Sequence, residues 1–162
     1  MIYTVENLKP IFDLLEFTKK VEQKDVYHPE GNLYIHTAQV TKLAFRESTD
    51  IDLIFAAMLH DVGKIVNTHG HEDYSVQICE PFSSVKTLWL IEHHMRIWKF
   101  LRGEMKKLGK VLYLAEHPWL PELILLARWD KKGRVPGKNL IIDPQETVDR
   151  LNKIIWGKYE TI

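Results

Sequence analysis

The chain has 162 residues, of which 45% are hydrophobic and 27% charged, the balance of a folded protein rather than a disordered one. Lys plus Arg equals Asp plus Glu at 22 each, so no surplus of positive charge points to duplex nucleic acid or an anionic membrane as a default partner. No apolar run approaches the ~20 residues of a membrane helix, and the first residues lack the basic and apolar regions of a signal peptide, so a cytoplasmic protein is expected.

Helical periods dominate. Residues 5–19 read as a first helix, with Leu8, Ile11, Phe12, Leu15 and Phe17 as its apolar stripe. Pro10 suits a first turn, so the regular part is expected to begin there. Residues 24–32 hold Pro29, Gly31 and Asn32 and read as a loop. A second helix is expected over 33–47, with Ala38, Leu43 and Ala44 inward. Thr49 or Asp50 can cap a third, which carries Ile54, Ala56, Ala57 and Leu59 and stops at Gly63. A polar loop over 64–70 leads to a short helix over 71–80. Ser83 or Ser84 can cap a longer helix to about 101, with Val85, Leu88, Ile91 and Met95 in its stripe and Gly103 ending it. A weaker helix covers 104–115, and another covers 120–131, framed by Pro118 and Pro121 and ended by Gly133. The stretch 134–143 reads as a loop before a final helix over 144–156. Nothing reads as a sheet, a repeat or a linker. The expectation is an all-α bundle of about six to eight helices, with residues 1–162 forming one domain.

The lone cysteine, Cys79, cannot form an internal disulfide and suits a reducing compartment. Its setting, Val76-Gln77-Ile78-Cys79, is that of a structural helix position. The histidines say more. His36 lies on the second helix, His60-Asp61 ends the third, His71 begins the next, His93-His94 lies in the long helix, and Asp130 ends a later one. Several helices of a bundle can project imidazole and carboxylate into one internal site.

Neutral imidazole and carboxylate together suit divalent first-row metals. A set of two His and two Asp leaves positions for water and a substrate oxygen, and a bound ion activates water and shields phosphoryl charge. Adjacent helix residues point about 100° apart, so His60 and Asp61 reach one site only at a helix end. Gly63 would let the chain turn away and a phosphate come close. Lys64 would place a mobile cation beside the metal. An unpaired Asp after Ala56-Ala57-Met58-Leu59 is costly to bury, and Asp130 at a helix C-terminus opposes the dipole. A metal resolves both oddities.

The run Leu59-His60-Asp61-Val62-Gly63-Lys64, with His36 upstream and Asp130 downstream, resembles the HD superfamily of metal-dependent phosphohydrolases, whose pattern is H…HD…D. The likeness is closer to the HD domain attached to bacterial CCA-adding enzymes (tRNA nucleotidyltransferases). There Tyr27-His28-Pro29-Glu30-Gly31, Ile35-His36-Thr37, Gly70-His71-Glu72 and Ala127-Arg128-Trp129-Asp130-Lys131-Lys132-Gly133-Arg134 have similar counterparts in the same order. The resemblance covers about residues 25–135, the expected core, with the C-terminal helix packed on it. The nucleotidyltransferase part that precedes this module in those enzymes has no counterpart here, so CCA addition is not expected of this chain alone.

The resemblance implies an HD-domain helical bundle with a metal held by His36, His60, Asp61 and Asp130. It implies hydrolysis of a phosphomonoester or phosphodiester bond of a nucleotide, or of a nucleic-acid terminal phosphate, by metal-activated water. The cofactor is expected to be a divalent transition metal (Mn, Fe, Co, Ni or Zn, with Mg an option), as one ion or two. Dinuclear members of the family add histidines between the HD pair and the last Asp. In that reading Asp61 bridges two ions, and His71 with His93 or His94 holds the second. Helical spacing from Ile91 turns His94 inward.

The Gly-Tyr-Pro signature of HD-GYP phosphodiesterases is not present, and Asn32 stands where a trinuclear member has Glu, which disfavours cyclic dinucleotide hydrolysis. Lys64 is read as catalytic and as a phosphate contact. It occupies a place where the mononucleotidase branch commonly has an acid, which argues against that branch. His28 and Arg134 are read as substrate-binding. His69 and His117 are expected on surface loops, and Trp89, Trp98, Trp129 and Trp156 in the core or at an interface. The expected partner is a nucleotide or other phosphorylated substrate, with a nucleic-acid end as an option and no membrane. The rival reading is a catalytically weak HD-type module that binds nucleotides or regulates. The complete set of His36, His60, Asp61 and Asp130 favours the enzyme.

Overall fold

Side chains that accept backbone N–H groups set where the helices start. Asn32 Oδ1 accepts from Tyr34 N at 2.9 Å at the head of α2 (Leu33–Glu47), Asp50 Oδ1 from Leu53 N at 3.2 Å at the head of α3 (Ile51–Leu59), and Ser84 Oγ from Thr87 N at 3.1 Å at the head of α5 (Val85–His93). Proline opens α1 (Lys9–Thr18), α8 (Leu120–Lys132) and α9 (Pro144–Glu160). The remaining helices are α4 (His71–Cys79), α6 (Arg96–Leu101) and α7 (Leu108–Ala115). This computed structural model describes residues 2–23 and 25–160; Met1, Lys24, Thr161 and Ile162 lie outside the described residues. Among the described residues it is all-α, and its β character is one isolated bridge, Glu22 to Asn32.

α3 is the hub. Leu53, Ile54, Ala56, Ala57, Met58 and Leu59 are all buried, as expected of a helix that is apolar beyond Asp52 in its first turn. It packs against α2, α5 and α8, while α4 lies on α5 and on a 3₁₀ turn, Val62–Ile65, that follows α3. At the other end of the chain, Asn152 of α9 exchanges two 2.9 Å hydrogen bonds with the Tyr3 backbone. No helix among the described residues is long and apolar enough to cross a membrane.

The long helix expected to run to 101 is two helices, α5 and α6, which makes nine helices among the described residues. The break has a local cause. His94 Nδ1 bonds Ile91 O at 2.6 Å, the carbonyl that Met95 N would take if the helix ran on. The expected stripe changes with it: Leu90, Ile91 and Ile97 are buried, whereas Val85 and Met95 are exposed. On α1 the buried face is Ile11, Leu15 and Thr18, continued by Leu8 just before the helix; Phe17 falls off that spacing and is exposed, as is Trp156 on α9.

α3 also ends earlier than expected, at Leu59, and Gly63 lies inside the 3₁₀ turn. A Cβ at Gly63 would overlap the His71 carbonyl and Ser75 of α4. Glycine is thus required there for helix packing.

Candidate metal centre

His36 lies in the second turn of α2, His60 caps the end of α3, Asp61 follows it, and Asp130 sits in the last turn of α8. The end of α3 answers the problem of adjacency, because the chain changes from α to 3₁₀ geometry between His60 and Val62. The four side chains converge in a buried group. His36 Nε2 is 3.0 Å from Asp130 Oδ1 and 3.6 Å from Asp61 Oδ2, and His60 Nε2 is 3.3 Å from Asp61 Oδ2. A second group shares Asp61 through its other oxygen: Oδ1 is 3.0 Å from His71 Nε2 and 3.3 Å from His94 Nε2.

The ring protons fix which atoms are free to bind a cation. Carbonyl oxygens only accept, so an imidazole nitrogen that bonds one carries a proton. His36 Nδ1 bonds Gly133 O at 2.8 Å, His60 Nδ1 bonds Ala57 O at 2.9 Å, His71 Nδ1 bonds Thr68 O at 3.0 Å, and His94 Nδ1 bonds Ile91 O at 2.6 Å. In each neutral ring the lone pair is then on Nε2, and all of these Nε2 atoms face the two carboxylates. His60 Nε2 is buried with no hydrogen-bond partner. The Nε2 atoms of His71 and His94 stand 3.1 Å apart, two lone pairs face to face unless a proton or cation lies between them. The donor set, its orientation by backbone carbonyls and these unsatisfied atoms all fit divalent cations.

Without a cation, protons fill the role. Burial works against charge on His36 and His60, but their carboxylate neighbours outweigh it and push the pKa values up to about 9 and about 10. Burial likewise opposes the charge on Asp61 and Asp130, yet the surrounding imidazoles, with Lys64 at Asp61, hold both carboxyls well below the usual range.

The centre opens onto a cavity of about 1080 Å³, lined by His28, Lys64 and Arg134 among others, together with Asp61, His71 and Asp130. Lys64 Nζ lies 3.3 Å from Asp61 Oδ2 and donates to Gln23 Oε1 at 2.8 Å. Arg134 Nε donates to Asp130 O at 3.0 Å, which lays the guanidinium along the rim. His28 meets His36 edge to face and holds Glu30 Oε1 at 2.9 Å from its Nδ1.

The structure thus gathers His28, His36, His60, Asp61, Lys64, His71, His94, Asp130 and Arg134 around one cleft. It does not bring His93 there: that ring stacks on Trp89 at 4.4 Å, and His117 stacks on the same indole at 3.9 Å instead of standing free on a loop. His69 is exposed and lines the cavity. Asn32 caps α2 and is not in the groups that could hold an ion.

Two buried residues of the site escape the sequence reading. Glu30, its side chain fully enclosed, sits 3.1 Å from His36 Nδ1 as well as beside His28. Burial raises its pKa, but the two imidazole hydrogen bonds more than reverse this and bring it down to about 2. An acid two residues from His28 is the signal that could have found it. Gln23, 41 positions from its partner Lys64, leaves no local signal.

The HD domain family model matches residues 33–133. The chain is similar to proteins described as "Multifunctional CCA protein". That of Thioalkalivibrio sulfidiphilus is 37% identical over 78 residues, covering 44% of this chain and 19% of that protein. That of Methylobacillus flagellatus is 30% identical over 125 residues, covering 67% of this chain and 30% of that protein. That of Nitrosococcus oceani is 42% identical over 65 residues, covering 40% and 16%. The matched region thus spans under a third of the length of each of these relatives.

Proposed function

Because the chain belongs to the HD domain family, we propose that it is a metal-dependent phosphohydrolase. In this reading it cleaves a phosphomonoester or phosphodiester bond of a nucleotide or of a nucleic-acid terminal phosphate. One observation carries the reading: Asp61 presents one oxygen to His36 and His60 and the other to His71 and His94, the arrangement of a carboxylate shared by two ions.

His36, His60, Asp61 and Asp130 would hold one divalent ion, and Asp61, His71 and His94 would hold a second. Such ions supply activated water and shield phosphoryl charge. The chain's own groups do the rest. Backbone carbonyls keep every Nδ1 protonated and so aim every Nε2 at the centre. Glu30 steadies His36 and His28 together. Lys64, on the cleft wall beside Asp61, binds a phosphoryl oxygen, and Arg134 meets the same anion from the α8 side. His28 borders the substrate at the mouth.

Metal analysis of the purified protein should find about two transition ions per chain, none in Asp61→Ala and one fewer in His71→Ala. A panel of nucleoside monophosphates, 2′,3′-cyclic nucleotides and dNTPs, assayed with Mn²⁺, Co²⁺, Ni²⁺ and Mg²⁺, should show turnover that Asp61→Ala abolishes. Metal-loaded protein that turns over none of them supports a binding or regulatory module instead.

A further inference from the structure

Gln23 stands on the cleft wall with half of its carboxamide in use. The residue is 8% exposed, and its backbone is pinned where the chain doubles back: Gln23 N donates to Gly31 O at 2.7 Å, next to the Glu22–Asn32 bridge. Its side-chain oxygen accepts from Lys64 Nζ at 2.8 Å. Its amide nitrogen is buried and has no hydrogen-bond partner. Rotating the amide would set NH₂ against an ammonium, so Lys64 fixes which end is oxygen.

We infer that Gln23 is a substrate-contacting residue, which with Lys64 forms a cradle of two donors for an anionic oxygen arriving beside Asp61. The assignment rests on the phosphohydrolase reading and adds to it where a phosphoryl oxygen is held. Three features support it.

The unpaired amide N–H groups are unfavourable in a buried wall; their nitrogen is enclosed in the free protein, and an acceptor that enters the cleft relieves them once the side chain shifts to meet it. Lys64 has three N–H donors; Asp61 and Gln23 engage two, and one remains. The amide oxygen also steadies the ammonium without neutralising it, whereas a carboxylate at position 23 would cancel the charge that attracts the substrate. Anchoring the loop does not require the side chain, because the backbone bonds at Gln23 and Leu33 already do so.

The test uses the full chain loaded with Mn²⁺ and inorganic phosphate as the probe. Phosphate affinity is measured by calorimetry alongside metal content and melting temperature. Gln23→Glu keeps the side-chain shape, removes the donor and adds a charge; it should weaken phosphate binding about tenfold or more with metal content unchanged. Gln23→Met, of similar length with neither donor nor charge, should weaken it several-fold, and it decides the matter if Gln23→Glu disturbs metal or fold. If wild type binds phosphate and Gln23→Met binds it equally well, the assignment of Gln23 is wrong while the phosphohydrolase reading stands. If metal-loaded wild type neither binds phosphate nor turns over any phosphoester, that reading fails and the cradle with it.

Discussion

Asp61 and the imidazoles around it form a set of groups whose charges need one another. With His36 and His60 raised to about 9 and about 10, the metal-free protein gains stability from their protonated forms. Each folded pKa lies above the ordinary histidine value of about 6.5. The contribution is therefore complete below about pH 6.5 and is lost as pH rises through the folded values. Protein held in chelator should melt about 5 °C or more lower at pH ~9.5 than at pH ~6.5, and metal-loaded protein should show no such fall. A flat profile in chelator would mean that these imidazoles are not paired with Asp61 and Asp130 as described. The carboxyls have the opposite sign: their pKa values are depressed, so their contribution is present above about pH 4 and is lost in acid.

At the scale of elements, the site is built from helix ends, and each end is trimmed to fit. His60 ends α3, His71 starts α4, His94 follows α5, and Asp130 lies in the last turn of α8. The contact that holds α4 in place is the close approach of His71 and Ser75 to Gly63, where Ser75 Oγ accepts from Gly63 N at 2.7 Å and donates to His60 O at 3.0 Å. Gly63→Ala should cost about 3 kcal/mol, or roughly 10 °C of melting temperature. It should also displace His71 from Asp61, so that titration finds one ion fewer; a variant that melts and titrates like wild type would show that α4 has room to move.

Residue type and order picked out His36, His60, Asp61, His71 and Asp130, which the structure brings together, because a cation-binding group is sought among imidazoles and carboxylates whatever the fold. The caps at Asn32, Asp50 and Ser84 lie next to the helices they start, and so these starts were legible too. The break after α5 was not, since it turns on the His94 ring taking the Ile91 carbonyl, and the folded site sets where that ring lies. Gln23 was hidden for the same reason: its meaning lies wholly in a partner brought up by folding.

For the molecule as a whole, the apolar core is predicted to hold without a metal. Leu33, Leu53, Ile54, Leu59, Leu90, Ile91, Ile97, Leu123 and Trp129 are fully buried away from any requirement for an ion. Chelation should lower the melting temperature by about 5–10 °C, the effect of losing a ligand held at ~100 times its dissociation constant. It should leave the far-ultraviolet helical signal intact below the transition. Loss of that signal on chelation at 25 °C would show that the ions are needed for the fold itself.

The 3.0 Å contact between His36 and Asp130 joins positions 94 residues apart. A clip of that span belongs to the long-loop class that restricts the unfolded chain most, and it forms late because its ends meet late. During synthesis, the proposed set of His36, His60, Asp61 and Asp130 would not be complete until α8 has left the ribosome; before then the growing chain could offer an ion only His36 and the His60-Asp61 pair, with His71 and His94 as they emerge. On the proposed metal reading, loading the first seat would be a checkpoint on translation, reached only by a chain that has been made and folded through residue 130.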